Sequence, residues 1–161
     1  MNIAYDAMIF AFRVHEGQKR KYTGNPYTDH LAEVAGITAT VVNYDYAIAI
    51  AWLHDCVEDC GISQLELEEK FDYDIAMSVI ELSDLEIGNR QERKKLSRER
   101  LSKCHGYVQT IKVADLISNT SSIVQHDPKF SKVYLEEKRL LLDVLTKADK
   151  RLIQLAKDII Q

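Results

Sequence analysis

Residues that interrupt regular structure are scarce in this chain. Its 161 residues include two prolines and six glycines, so few positions offer the tight turns that a many-stranded protein requires. Glu, Lys, Leu, Ala and Ile suit helices. A hydrophobic content of 46% is enough for one buried core, and the length is that of one ordinary domain. We therefore predict a single all-α domain over residues 1–161.

Hydrophobic periodicity indicates a series of helices joined by short connections. The segment 45–59 is the most apolar, so we expect it to lie centrally, to begin near a capping Asp45 and to end at Gly61. Ser63 and Glu66 have the spacing of a capping box for the next helix. The predicted helices cover residues 2–15, 28–42, 45–59, 63–71, 74–85, 107–124, 131–147 and 149–160.

Two stretches are rich in charge. Residues 16–27 break the helical pattern and carry the basic triplet Lys19-Arg20-Lys21, so we interpret them as a loop. Residues 90–103 are almost solidly charged, with Leu96 and Leu101 as the only large apolar residues. Such a run is typical of a helical face in contact with solvent.

The overall charge limits the partners of the chain. Its formal net charge of -4 opposes nucleic-acid binding, which depends on an excess of Lys and Arg. The longest apolar run, residues 47–53, is far shorter than a membrane span, and the first residues lack a signal-peptide pattern. We expect a cytoplasmic protein that binds neither nucleic acid nor membrane.

Three cysteines, an odd number without disulfide-framework spacing, fit a reducing compartment. Cys56 and Cys60 would lie one helical turn apart and could place two thiolates on a metal. No second Cys or His pair at zinc spacing accompanies them. We interpret these cysteines as packing residues.

The segment His54-Asp55-Cys56-Val57-Glu58-Asp59 concentrates chemistry at the polar end of an apolar helix. The spacing of four places His54 above Glu58 and Asp55 above Asp59, so adjacent faces of one turn present an imidazole and three carboxylates. Carboxylates packed so closely repel one another unless a cation lies among them or their protonation changes. A helix surface in water could also tolerate the cluster.

Two further segments carry residues of the same kinds. His30 stands at the opening of the second helix, in Pro26-Tyr27-Thr28-Asp29-His30. Lys112, Asp115 and Asn119 recur on one stripe of a later helix. Taken singly, a lone histidine is more often a surface or core residue than a ligand, and a stripe of Lys, Asp and Asn is more often a face in solvent.

Taken in order, these segments resemble the HD domain superfamily. The nearest resemblance is to the alarmone hydrolases, which are the hydrolase domain of RelA/SpoT proteins and the small stand-alone SpoT-like enzymes. The similarity covers roughly residues 4–125, and four co-linear motifs make chance agreement improbable. The matching segments are residues 15–21 (HEGQKRK), 24–30 (GNPYTDH), 53–59 (LHDCVED) and 112–115 (KVAD).

This resemblance implies a helical bundle with a metal centre, typically of Mn²⁺, and a small phosphorylated nucleotide as substrate. Two imidazoles with two carboxylates suit an octahedral divalent cation better than a closed thiolate zinc site. The pair Glu58 and Asp59 would handle protons around the attacking water. The implied metal ligands are His30, His54, Asp55 and Asp115, and the implied substrate-binding residues are Arg20, Lys21, Lys112 and Asn119.

The implied reaction is hydrolysis of the 3′-pyrophosphate of guanosine tetra- or pentaphosphate, releasing pyrophosphate and GDP or GTP. No synthetase domain is present, so we expect no alarmone synthesis. The family usually has other residues at Thr28, Leu31, Cys56 and Cys60, and pocket residues decide which nucleotide is bound. The alternatives are another nucleotide, such as the 2′-phosphate of NADPH, or a non-catalytic nucleotide or metal sensor. An intact Glu58-Asp59 pair favours an enzyme.

Overall fold

The computed structural model describes residues 2–161. These residues form ten helices and no strand, apart from one isolated antiparallel bridge between Lys19 and Pro26, so the all-α prediction is confirmed. The helices are α1 (Ile3–Val14), α2 (Tyr27–Ala39), α3 (Asp45–Leu53), α4 (Cys56–Cys60), α5 (Gln64–Lys70), α6 (Tyr73–Leu82), α7 (Arg90–Lys103), α8 (Gly106–His126), α9 (Pro128–Val144) and α10 (Lys150–Ile159).

Capping residues fix the starts of several helices. Ser63 and Glu66 form the predicted capping box at the start of α5. Asn89 and Glu92 form a second capping box at the start of α7. Each box satisfies backbone N–H groups that have no partner inside the helix.

Helix α3 lies at the centre of the core, as predicted. It packs against α1, α2, α6 and α8, and its alanines together with Ile50 and Leu53 are buried. The small alanine side chains let the neighbouring helices approach closely. The long helix α8 carries a run of buried residues from Val108 to Leu116 and contacts α2, α9 and α10. The core therefore holds α2, α3 and α8 side by side.

The prediction of one continuous helix over residues 45–59 is wrong. Helix α3 ends at Leu53, and α4 begins at Cys56 after a break at Asp55, whose φ and ψ are -103° and -2°. The carbonyl of Ala51, which a continuous helix offers to the N–H four residues later, accepts a hydrogen bond from His54 Nδ1 at 2.7 Å. The expected stacking of His54 above Glu58 on one straight helix is therefore lost. The N-cap of α3 is Tyr44, and Asp45 is its first helical residue.

The connection between α1 and α2 folds back on itself. The N–H of Arg20 donates to the carbonyl of Asn25 at 2.8 Å, and the N–H of Tyr27 donates to the carbonyl of Gln18 at 2.9 Å. This closed loop places the start of α2 next to the end of α1. None of the helices in residues 2–161 is both long and apolar enough to span a bilayer.

Two glycines allow a test of whether the left-handed backbone conformation of Gly61 is what ends α4. Gly61 has a φ of +68°, Gly36 lies within α2, and a Cβ added at either position meets nothing within 4 Å. Gly61→Ala should destabilise the protein by about 1 kcal/mol, because a side chain is strained in the left-handed region. Gly36→Ala should stabilise it by roughly 0.5 kcal/mol, because alanine loses less backbone entropy in a helix.

Urea unfolding of both variants checks this prediction. Since neither added methyl group meets a neighbour, the comparison isolates backbone conformation. Equal stability of the two variants would contradict it.

Candidate active site

Four side chains from three parts of the chain meet between α2, α3 and α8. His30 comes from α2, His54 and Asp55 come from the break after α3, and Asp115 comes from α8. His30 Nε2 lies 3.3 Å from Asp115 Oδ1 and 3.5 Å from Asp55 Oδ2. His54 Nε2 lies 3.0 Å from Asp55 Oδ2 and 3.8 Å from Asp115 Oδ1. All four predicted ligands therefore converge at one point.

Hydrogen bonds on the outer side fix both imidazoles. His54 Nδ1 lies 2.7 Å from the Ala51 carbonyl, which can only accept, so Nδ1 carries the proton. His30 Nδ1 lies 2.8 Å from Ser118 Oγ, and that hydroxyl donates in turn to Glu33. Both Nε2 atoms therefore face the two carboxylates, and both are buried without a hydrogen-bond partner. Outer partners of this kind are typical of metal-binding histidines.

The crowding of these groups shifts the pKa values of both histidines. Burial alone would lower the pKa of His54, but the carboxylates of Asp55 and Asp115 raise it well above its usual value. The same balance raises the pKa of His30. Positive charge is thus needed between the imidazoles and the carboxylates, and a divalent cation can supply it in place of the protons. The donor atoms of His30, His54 and Asp115 all lie within 4.8 Å of one another, so the residues fit a divalent metal.

The two carboxylates are also held from outside the cluster. The hydroxyl of Tyr27 donates to Asp55 Oδ2 at 2.6 Å. Asn119 Nδ2 donates to Asp115 Oδ1 at 2.7 Å, and Lys112 Nζ contacts Asp115 Oδ2 at 2.9 Å. The stripe of Lys112, Asp115 and Asn119 predicted on α8 is therefore a connected unit.

The predicted proton-transfer pair lies beside the four-residue cluster. Glu58 Oε2 accepts a hydrogen bond from the N–H of Asp84 at 3.0 Å, and Asp59 Oδ2 accepts one from Gln18 Nε2 at 3.0 Å. Desolvation of the carboxyl group raises the pKa of Glu58 to about 7. A group with that pKa can accept or release a proton near neutral pH.

Sequence reasoning gave no role to His15, Gln18 or Tyr27, although all three lie within the matching segments. The buried ring of His15 stacks on Tyr27 with centroids 5.3 Å apart. Its Nδ1 lies 2.7 Å from Gln18 Oε1, so the Gln18 amide accepts from His15 and donates to Asp59. His15 therefore supports Asp59 through Gln18 and Asp55 through Tyr27.

The cysteines lie where packing residues are expected. Cys56 is buried in the core, and Cys60 Sγ lies 3.3 Å from His15 Nδ1. Burial raises the pKa of the Cys56 thiol to about 12 and that of Cys60 to about 11. Both thiols stay protonated at neutral pH, which disfavours a thiolate metal site.

A cavity of about 410 Å³ is lined by Tyr27 and Asn119, both of which hold the cluster's carboxylates. Its lining contains Arg20 and Lys21, two of the residues predicted to bind the substrate, but Lys112, predicted with them, is buried and does not reach it. No Asp or Glu lines it. Five cations do: Arg20, Lys21, Arg90, Lys94 and Lys138.

The interpretation of residues 90–103 as a face in solvent is therefore wrong in part. Arg90 and Lys94, one turn apart on α7, face the cavity. Ser97 and Leu101 continue that face of the helix and are buried. Arg90, Lys94, Ser97 and Leu101 are spaced three to four residues apart within the charged run. This spacing places them on one side of the helix and could have indicated from the sequence that this side is not in solvent.

Comparison with known proteins agrees with this geometry. The model of the HD domain family matches residues 7–136. The chain is 31% identical over 132 residues to guanosine-3′,5′-bis(diphosphate) 3′-pyrophosphohydrolase MESH1 of Xenopus tropicalis, covering 77% of this chain and 71% of that protein. The Drosophila melanogaster protein of the same name is 29% identical over 126 residues, covering 76% and 70%.

Longer proteins also match. The GTP pyrophosphokinase rsh of Brucella melitensis is 30% identical over 131 residues, but the match covers only 17% of that protein. Among solved structures, a metazoan ortholog of SpoT that hydrolyses ppGpp superposes with a TM-score of 0.90 and 25% identity, covering 99% of this chain and 94% of that one. Because the family model spans most of the chain and the fold agrees throughout, the chain belongs to the HD domain family and is a metal-dependent phosphohydrolase.

Proposed function

We propose that this protein hydrolyses the 3′-pyrophosphate of guanosine tetra- or pentaphosphate, releasing pyrophosphate and GDP or GTP, and that residues 1–161 act as one HD phosphohydrolase domain. The observation that carries the proposal is the pair of unpartnered Nε2 atoms of His30 and His54, which face two carboxylates. The relatives named for this reaction and the basic cavity beside the cluster support it.

We assign metal binding to His30, His54, Asp55 and Asp115, with Mn²⁺ as the metal. Mixed nitrogen and oxygen ligands suit this cation. A metal held by these residues would lower the pKa of a bound water and neutralise phosphoryl oxygens. The Tyr27 and Asn119 hydrogen bonds hold the two carboxylates in place for this task.

Glu58 and Asp59 handle the proton that attacking water releases. Glu58 is the acceptor, because its pKa of about 7 lets it be ionised near neutral pH. Asp59 is oriented by Gln18 and aligns the water. This division of roles follows from the different partners of the two carboxyl groups.

Arg20, Lys21 and Asn119 line the cavity and bind the nucleotide. A cavity with five cations and no carboxylate in its lining attracts a compact phosphorylated ligand even though the chain as a whole is acidic. Lys112 acts from behind this surface by holding Asp115.

Removal of one ligand tests the metal assignment. We expect the purified parent to carry on the order of one divalent transition metal per chain. Asp55→Ala should lose most of this metal, because the site loses an anionic donor, whereas Asp143→Ala, at an exposed position of α9, should keep it. Elemental analysis after desalting measures both. Full metal content in Asp55→Ala would refute the assignment.

Glu58→Gln separates proton transfer from metal binding. We expect kcat to fall by about 10²-fold or more while metal content stays at the parent level. In the parent, kcat should rise with pH through about 7 as Glu58 ionises, and this rise should disappear in the variant. Loss of metal along with activity would instead make Glu58 a ligand.

Arg20→Ala tests the basic wall of the cavity. The Arg20 guanidinium contacts Glu33 at 3.1 Å and the Ser118 carbonyl at 3.2 Å, which leaves part of its fork for phosphate. We expect kcat/KM for guanosine tetraphosphate to fall, with a loss of transition-state stabilisation of about 1–3 kcal/mol. Arg20→Lys should restore part of this loss. Arg13→Ala, exposed at the end of α1, is the control.

The measurement, made with Mn²⁺ across a nucleotide panel, is the release of pyrophosphate from guanosine tetraphosphate and of inorganic phosphate from the 2′-phosphate of NADPH. An active parent, a weakened Arg20→Ala and an inactive Asp55→Ala would support the proposal. Turnover of another nucleotide without turnover of guanosine tetraphosphate would show that the proposed substrate is wrong and that the other nucleotide is the substrate. A metal-loaded parent without any turnover would indicate a sensor.

A further inference from the structure

The five cations of the cavity differ in their partners. Arg20 pairs with Glu33 at 3.1 Å, Arg90 with Glu137 at 2.7 Å, and Lys94 with Asp84 at 3.2 Å. These three guanidinium or ammonium groups already have a counter-charge within the protein.

The other two cations lie against aromatic rings. Lys21 Nζ lies 5.0 Å from the centre of the Tyr22 ring, and Lys138 Nζ lies 4.9 Å from that of the Tyr134 ring. Across residues 2–161, no carboxylate oxygen lies within 4.0 Å of the Lys138 ammonium. Lys138 is therefore a cation of the cavity wall whose charge is not neutralised.

Lys138 also borders residues that support the four-residue cluster. Beyond it, a small cavity of about 20 Å³ is lined by Lys138 together with Lys112, Asp84 and Ser97. Lys112 is the residue that holds Asp115. The Lys138 ammonium thus stands between the open cavity and the Lys112–Asp115 pair.

Its surroundings disfavour the charge that it carries. Burial, followed by repulsion from Lys112, lowers the pKa of Lys138 to about 8. Lys94 adds to the repulsion, and the carboxylates of Asp115 and Asp84 offset only part of it. A half-buried ammonium without a paired anion costs free energy, which an anionic ligand in the cavity would recover.

We propose that Lys138 binds the terminal phosphate of the substrate's reacting diphosphate, and so makes the site select a diphosphate over a monophosphate at that position. This inference rests on the proposed function for the identity of the reacting group. The first phosphate of that group would be held at the cluster, and the second would extend toward Lys138. A monophosphate has no group to occupy that place.

Substitution of Lys138 tests this selection. Lys138→Met keeps the aliphatic length and removes the charge, whereas Lys138→Arg keeps the charge. Lys132→Met, an exposed lysine on the same helix that lines a different groove, is the matched control. Because Lys138→Met removes an unpaired charge, its unfolding temperature without ligand should equal or exceed that of the parent.

The first measurement is the affinity for inorganic pyrophosphate and inorganic phosphate, read as the rise in unfolding temperature with Mn²⁺ in excess over either anion. Affinity for pyrophosphate should fall about tenfold to a hundredfold in Lys138→Met, the range expected for a lost hydrogen bond to a charged group. Affinity for phosphate should change little. Lys138→Arg should retain most pyrophosphate binding, and Lys132→Met should match the parent.

The second measurement is steady-state hydrolysis of guanosine tetraphosphate. We expect Lys138→Met to raise KM more than it lowers kcat, since Lys138 binds phosphate and moves no proton. If KM and pyrophosphate affinity stay at the parent values while the parent is active, the inference is wrong and the proposed function stands.

The two proposals can also fail separately in the other direction. A parent that does not hydrolyse guanosine tetraphosphate but loses pyrophosphate affinity on Lys138→Met would refute the proposed substrate and keep the diphosphate site. A parent without measurable affinity for pyrophosphate would overturn the inference about Lys138. An equal loss of affinity for phosphate and pyrophosphate would also overturn it, because it would show a general charge effect without selection.

Discussion

The site depends on the need for positive charge between two buried histidines and two carboxylates. Asp55 and Asp115 face His30 and His54 at distances of 3.0 to 3.8 Å. Carboxylates removed from water are costly unless a cation lies beside them. Lys112 supplies one positive charge from behind Asp115. The remaining deficit falls at the point where both Nε2 atoms converge, which makes this point a place for protons or for a metal.

Two supporting networks extend outward from that point and hold the adjacent proton-transfer pair. On one side, Gln18 donates to Asp59 and is itself held by His15. On the other, Glu58 is bound by the backbone of Asp84, whose carboxylate is held by Ser97 and Arg100 at 2.8 Å each. Part of the charged helix α7 therefore fixes the connection that positions Glu58. Such outer contacts decide how closely a catalytic group keeps its geometry.

The cavity shows how an acidic protein can accept a polyanionic ligand. The five cations line one cavity, while the excess acidic residues lie elsewhere. Most of these cations have internal carboxylate partners, which hold the side chains in place but also weaken their local potential. Lys21 and Lys138 lack such a partner, and of these two Lys138 is the one that borders Lys112 behind the cluster, so that its charge can be matched by a ligand. The paired cations thus have fixed positions in the cavity wall, whereas the unpaired cations keep their charge available for a ligand.

The sequence by itself determined the helical class, the capping box at Ser63 and the identity of the residues that meet in the cluster. These features depend on local spacing or on motif order, which a single chain displays directly. The tertiary structure decided what spacing cannot. It broke the helix at Asp55, because the Ala51 carbonyl binds the His54 ring, and this break aims His54 and Asp55 at one point. It also turned Arg90, Lys94 and Lys138 toward the cavity and kept Lys112 behind it, because contacts between distant helices decide which side of each helix is enclosed.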